Sequence, residues 1–156
     1  MKVLFVCTGN TCRSPIAEGL LRRAATAAGL EIVDAGSAGT GAWAGAPASE
    51  GAYLVGLERG VDLSAHRARL LTRELVAESD VILTMGHSHR VRVEELGGVD
   101  KVHLLGEYAG QSGAGAEVMD PFGGDIEGYR VTFDALGELV DAVVSRLVSE
   151  RSGDQR

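Results

Sequence analysis

Apolar and polar positions alternate along this chain in two distinct rhythms. Residues 2–7 (KVLFVC) and 80–85 (DVILTM) are near-continuous apolar runs of strand length, the pattern expected of strands covered by helices on both faces. EIVDA at 31–35 and KVHLL at 101–105 read as two further strands. Helical spacing fills the intervals, over roughly 15–28, 47–58, 72–78 and 87–95. Strands alternating with helices predict an α/β fold: one three-layer domain with a four-stranded parallel sheet and helices on both faces. The clearest helix comes last, where Tyr129, Phe133, Leu136, Val140, Val143 and Leu147 recur at intervals of four and three and line one face. A single stripe of this kind packs on the core rather than forming a seam for a partner. The Gly/Ala-rich stretch 36–52 reads as a long loop entering a helix. The domain is expected to occupy 1–150, with 151–156 a disordered tail.

Composition supports one core: 156 residues, 45% of them hydrophobic, bury enough surface without staples. No apolar stretch approaches the ~18 residues of a bilayer span, and nothing reads as a secretory segment. With two cysteines in all, the expectation is a cytoplasmic, reducing location away from membranes. A net charge of −7 argues against nucleic acid as a partner, because such affinity is built from clustered cations. Any anion this chain holds is held locally.

The local site is VCTGNTCRSPIAE, residues 6–18. The first strand ends at Cys7, a turn follows, and a helix is expected to begin with Ser14 as N-cap and Pro15 at its first position. The carboxyl end of a parallel strand is where open α/β sheets bind ligands. Gly9 lets the backbone bend so that successive N–H groups converge, and such a nest facing a helix N-terminus is an anion site. Arg13 adds a permanently charged fork suited to phosphate. The same positive field favours the thiolate of Cys7, the nucleophilic form. Other loop chemistries fail on the residues: there is no G-K-[ST], no G-x-G-x-x-G after the first strand, and the cysteines are spaced C-x4-C rather than C-x-x-C. His87 and His89 have H-x-H spacing without a third ligand, so neither a metal nor another cofactor is expected.

Cys7 to Arg13 followed by Ser-Pro, with asparagine inside the loop, resembles the low-molecular-weight protein tyrosine phosphatase family. SAG at 37–39, HRARLLT at 66–72, DVILTM at 80–85 and DPFGG at 120–124 follow that family's order over nearly the whole chain. The resemblance implies a phosphorylated protein as substrate and a monomer or weak dimer. It makes Cys7 the nucleophile, Arg13 the clamp on the phosphoryl oxygens and Asp120 the general acid, although Asp-Pro alone would read as a turn opener. Thr8, Gly9, Asn10, Thr11, Cys12 and Ser14 become the phosphate- and substrate-binding loop, with Ser14 bonded to the nucleophilic sulfur. Asn10 becomes a strained residue held by a network that includes Ser37 and His66; asparagine tolerates left-handed backbone angles. Cys12 becomes a partner able to trap Cys7 in a reversible disulfide, or else an inert buried thiol. Trp43 reads either as a wall of the pocket or as loop packing, and Phe122 as a support beside the acid.

Substrate choice turns on two positions. Thr11 stands where many tyrosine-specific members carry a bulkier aliphatic residue, and Phe122-Gly123 where they carry aromatics, so the chain is most similar to the bacterial protein-arginine phosphatase branch. A β-branched threonine, stiff at χ1, narrows the pocket toward a slim guanidinium. Phosphotyrosine is the alternative. An arsenate reductase would need further cysteines downstream, and a catalytically dead phosphoresidue-binding module would have no need of both nucleophile and acid.

Overall fold

The apolar run at the amino end forms strand β1, Lys2–Cys7, buried from Val3 onward. A loop leads into helix α1, Arg13–Ala27, followed by β2, Asp34–Gly39, α2, Glu50–Glu58, and the short α3, Arg73–Glu78. Then come β3, Val81–Thr84, α4, His87–Glu95, β4, Val102–Leu104, a single turn α5, Leu105–Tyr108, and a 3-10 turn, Gly113–Ala116. The long α6, Ile126–Asp154, closes the domain. This computed structural model describes residues 1–154.

The four strands pair in parallel in the order β2-β1-β3-β4, as the alternation of strand and helix predicts. Successive side chains of a strand point to opposite faces, and β1 divides accordingly. Val3, Phe5 and Cys7 join the larger core with α1 and α6. Leu4 and Val6 join the smaller core with Leu71, Val76, Ile82 and Val93. Both faces are covered, which is why the strand sequence is a continuous apolar run rather than an alternation. All six residues of the stripe on α6 are buried, so that stripe is core packing.

Three local expectations are corrected. The second strand lies at 34–39, not 31–35: Ile32, the apolar centre of the expected strand, is exposed in a turn, and the first four residues of the expected 36–52 loop are strand instead. DAGSAG has poor strand propensity, but pairing along the whole of β1 overrides it. Its small residues are required, since a Cβ on Gly39 would stand 2.4 Å from the Thr8 carbonyl oxygen. The second helix starts at Glu50 rather than 47. At the carboxyl end α6 remains helical through Asp154, inside the expected tail; residues 155–156 lie outside the described residues. Among the described residues no helix is long and apolar enough to cross a membrane.

Candidate active site

The first helix begins at Arg13, two residues earlier than its Ser-Pro suggests. Cys12 is the N-cap residue and its side chain makes no capping bond. Pro15 is therefore the third helical residue, a position whose N–H would have no intrahelical acceptor in any case. Ser14 is not the cap. Its hydroxyl is committed to the site: Ser14 Oγ lies 2.9 Å from Cys7 Sγ and accepts from Asn10 Nδ2 at 2.8 Å.

Asn10 organises the loop. It is the one non-glycine residue with positive φ among those described, at 55°, and it is fully buried. Its backbone N–H points to Cys7 Sγ at 3.3 Å. Its Oδ1 accepts from the Arg69 backbone N–H at 3.0 Å, which fixes the orientation of the amide. Nδ2 donates to Ser14 Oγ and, at 2.9 Å, to Ser37 Oγ, which in turn donates to Glu18 Oε1 at 2.7 Å. The Asn10 carbonyl accepts from His66 Nε2 at 2.6 Å. The proton directions follow from this chain of donors. Because Asn10 donates into Ser14 Oγ, the serine's own hydrogen is left for the sulfur, and with the Asn10 N–H it gives Cys7 two donors.

Arg13 is 7% exposed. One arm of its guanidinium donates to the Val118 carbonyl at 3.0 Å, and the other faces Asp120 Oδ2 at 3.6 Å. Asp120 Oδ1 accepts from the Phe122 N–H at 3.0 Å. Asp120 thus opens the turn with one oxygen and presents the other toward the arginine, so the turn-opener and acid readings are compatible. Cys7, Thr8, Gly9, Thr11, Cys12, Arg13, Asp120 and Phe122 enclose a cavity of about 180 Å³. Among the described residues the N–H groups of Gly9, Thr11 and Cys12 take no protein acceptor, which suits a loop that receives an anion.

The remaining expectations sort by position. Ser37 and His66 stand in the network behind the loop, while Trp43 is 85% exposed and lines neither the cavity nor the core, against both readings of it. Phe122 is at the cavity mouth, largely exposed. Both thiols are free; Cys12 Sγ lies 3.1 Å from Ser49 Oγ and 3.7 Å from the Tyr129 hydroxyl. His87 is exposed and His89 buried, so the H-x-H pair does not share a face, and among the described residues no three His, Cys, Asp or Glu side chains converge.

Sequence reasoning missed Glu18, Ser49, Arg69, His89 and Tyr129. Glu18 had a signal, lying one helical turn beyond Ser14 on the same face. Arg69 acts through its backbone N–H on Asn10 and through its guanidinium, which donates to the Ser37 carbonyl at 2.9 Å, and no local pattern reveals either contact. His89 is 4% exposed, with Nε2 2.9 Å from Thr8 Oγ1. Burial and the nearby Arg13 cation push it down to about 4, against the smaller opposing pull of Asp120 and Glu117.

A sulfur held by two donors at the floor of an arginine-walled cavity, with a carboxylate oxygen across from it, equips a protein for phosphoryl transfer to sulfur; fold and site together define a cysteine-dependent phosphatase. Comparison with known proteins agrees. The profile described as low molecular weight phosphotyrosine protein phosphatase matches residues 2–152, and the chain belongs to that family. It is 39% identical to a protein-arginine-phosphatase of Bacillus subtilis (strain 168), over 97% of this chain and 99% of the relative. Among solved structures it is similar to the YwlE arginine phosphatase C7S mutant with a phosphorylated active site serine, with a TM-score of 0.89, 37% identity, and coverage of 97% of this chain and 99% of that one. It is equally similar to a low molecular weight protein tyrosine phosphatase from T. tengcongensis, with a TM-score of 0.87, 40% identity, and coverage of 94% and 99%.

Proposed function

We propose that this protein phosphatase hydrolyses phosphoarginine in proteins through a phosphocysteine intermediate. The Cys7 thiolate attacks phosphorus in line, the P–N bond breaks, and the leaving guanidine nitrogen takes its proton from Asp120. A water then attacks the P–S bond, gives its proton to Asp120, and the thiolate departs with inorganic phosphate formed. The loop N–H groups and Arg13 hold the charge on the three equatorial oxygens in both steps. The phosphorylated serine in the C7S relative supports a covalent intermediate at this position.

The observation that carries the choice of substrate is Thr11 on the wall of a cavity of only about 180 Å³. The Thr11 hydroxyl makes that wall polar, which suits a guanidinium, where an aliphatic side chain would make it apolar and suit a phenol ring, and Asp120 Oδ2 can accept from a guanidine N–H as well as protonate the leaving nitrogen. Phosphotyrosine is the second reading, favoured by the 40% identity to the T. tengcongensis tyrosine phosphatase. Side-by-side turnover of phosphoarginine and phosphotyrosine peptides decides between them: a higher kcat/KM on phosphoarginine is expected, and the reverse order would make the protein a tyrosine phosphatase. Thr11→Ile is expected to move the ratio of the two toward phosphotyrosine by roughly 10- to 200-fold, the worth of a few atoms of pocket shape. An unchanged ratio would reduce Thr11 to a packing residue.

A further inference from the structure

Thr8 follows the nucleophile directly and stands between two cavities, the catalytic one and a neighbouring space of about 420 Å³ that His89 also lines. His89 comes from α4, 81 residues away along the chain, and bonds Thr8 Oγ1 through Nε2 at 2.9 Å. Its other ring nitrogen, Nδ1, is buried without a protein partner. That asymmetry selects a tautomer. A hydrogen on Nδ1 would be a buried N–H with no acceptor, whereas a hydrogen on Nε2 leaves only a lone pair unmatched there. Orphaned buried N–H groups are the rarer and costlier of the two. The hydrogen therefore sits on Nε2, and Thr8 Oγ1 is its acceptor.

We propose that His89 is a positioning residue: its Nε2–H occupies a lone pair of Thr8 Oγ1, so that the Thr8 hydroxyl donates its own hydrogen to a phosphoryl oxygen bound in the Cys7 cavity. A neutral ring is required, because an imidazolium would leave the Nδ1 hydrogen stranded and set a second cation beside Arg13. The charged groups facing the ring come from three places. Arg13 on α1, together with burial, lowers its proton affinity to about 4, while Asp120 and Glu117, from the segments flanking Val118, act in the opposite sense. The ring is therefore neutral at pH 7, with Nε2–H available to Thr8. This adds a donor to the loop N–H groups and Arg13, and it joins α4 to the site.

The test uses inorganic phosphate as the probe, so it does not depend on which phosphoresidue is turned over; phosphate binding to the unmodified protein first establishes the site itself. Phosphate affinity would be measured for Thr8→Val, His89→Ala, His89→Gln and the double variant Thr8→Val/His89→Ala, with unfolding midpoints without phosphate to score folding. Thr8→Val and His89→Ala are each expected to weaken phosphate about three- to tenfold, the range of one hydrogen bond. The double variant should be no weaker than the poorer single, because both changes remove the same donor. His89→Gln should recover part of the loss, its amide N–H replacing that of Nε2. Wild-type affinity in Thr8→Val, or multiplicative losses in the double variant, would overturn the proposal. If His89→Ala does not fold, nitrogen-15 NMR of the imidazole in the unmodified protein takes its place. A neutral ring protonated on Nε2 at pH 7 supports the proposal, and a ring protonated on Nδ1 or on both nitrogens overturns it.

Discussion

Asn10 pays for its left-handed backbone with contacts that no other residue type could make together. A non-glycine residue in that region is strained by about 1–3 kcal/mol, and each hydrogen bond of the network returns about 0.5–1.5 kcal/mol. Several such bonds more than offset the strain. Asn10→Ala keeps the strain and loses the amide, so a destabilisation of about 2–3 kcal/mol by denaturant unfolding is expected. A fall in kcat should accompany it, since Ser14 is then free to turn away from Cys7. A loss of stability with unchanged kcat would make the network purely structural. At Asp120 the expectation is kinetic: Asp120→Asn should lower kcat by about 10²–10⁴-fold, with smaller losses for substrates whose leaving groups need no proton. Equal losses for good and poor leaving groups would make Asp120 a positioning residue.

At the scale of elements, α6 is held to the rest by its buried stripe and by a charged seam against α2. Glu58 receives Arg130 through both oxygens, at 2.8 and 3.0 Å, and Arg59 forks onto Asp134 at 3.0 and 3.1 Å. The Arg130 hydrogen bonds hold the Glu58 carboxyl below its usual range, and those of Arg59 do the same for Asp134. Carboxyls lowered in the folded state stabilise it above their unfolded range, and that stability is lost as pH falls through the folded values. The melting difference between the unmodified protein and Glu58→Gln is therefore expected to be constant from neutral pH down to the ordinary carboxylate range, about 4, and to shrink below it. It should also narrow in high salt, because the seam is exposed. A difference independent of pH and salt would point to packing by the side-chain stems.

Over the whole molecule, the site draws on residues that only the fold unites: Asn10 with Ser37, His66 and Arg69, and Arg13 with Val118 and Asp120. An unfolded chain has no such site, so phosphate is expected to stabilise the protein globally. At a hundred times its Kd the gain is about 2.7 kcal/mol, visible in the unfolding midpoint by circular dichroism. Cys7→Ser should keep that shift while losing turnover, because the loop and Arg13 remain and a hydroxyl is the poorer nucleophile. Loss of the shift in that variant would mean that the sulfur itself holds the anion.

The sequence by itself determined the parallel sheet, the layers and the place of the loop between β1 and α1, because these rest on local rules. Apolar runs mark strands covered on both faces, three-and-four spacing marks the α6 stripe, and a cysteine, glycine and arginine between strand and helix mark an anion site. Those rules failed where a distant neighbour outweighed a local preference. β2 formed from DAGSAG because β1 supplied its partner and the loop needed Gly39 beneath it. Ser14 left the cap for Cys7 because the helix began two residues earlier and the sulfur needed a donor. His89 looked like half of a metal pair until the helix turned it inward to Thr8 and His87 outward to solvent. Each of these outcomes depends on which groups face one another across the fold, and that proximity arises only when the chain closes.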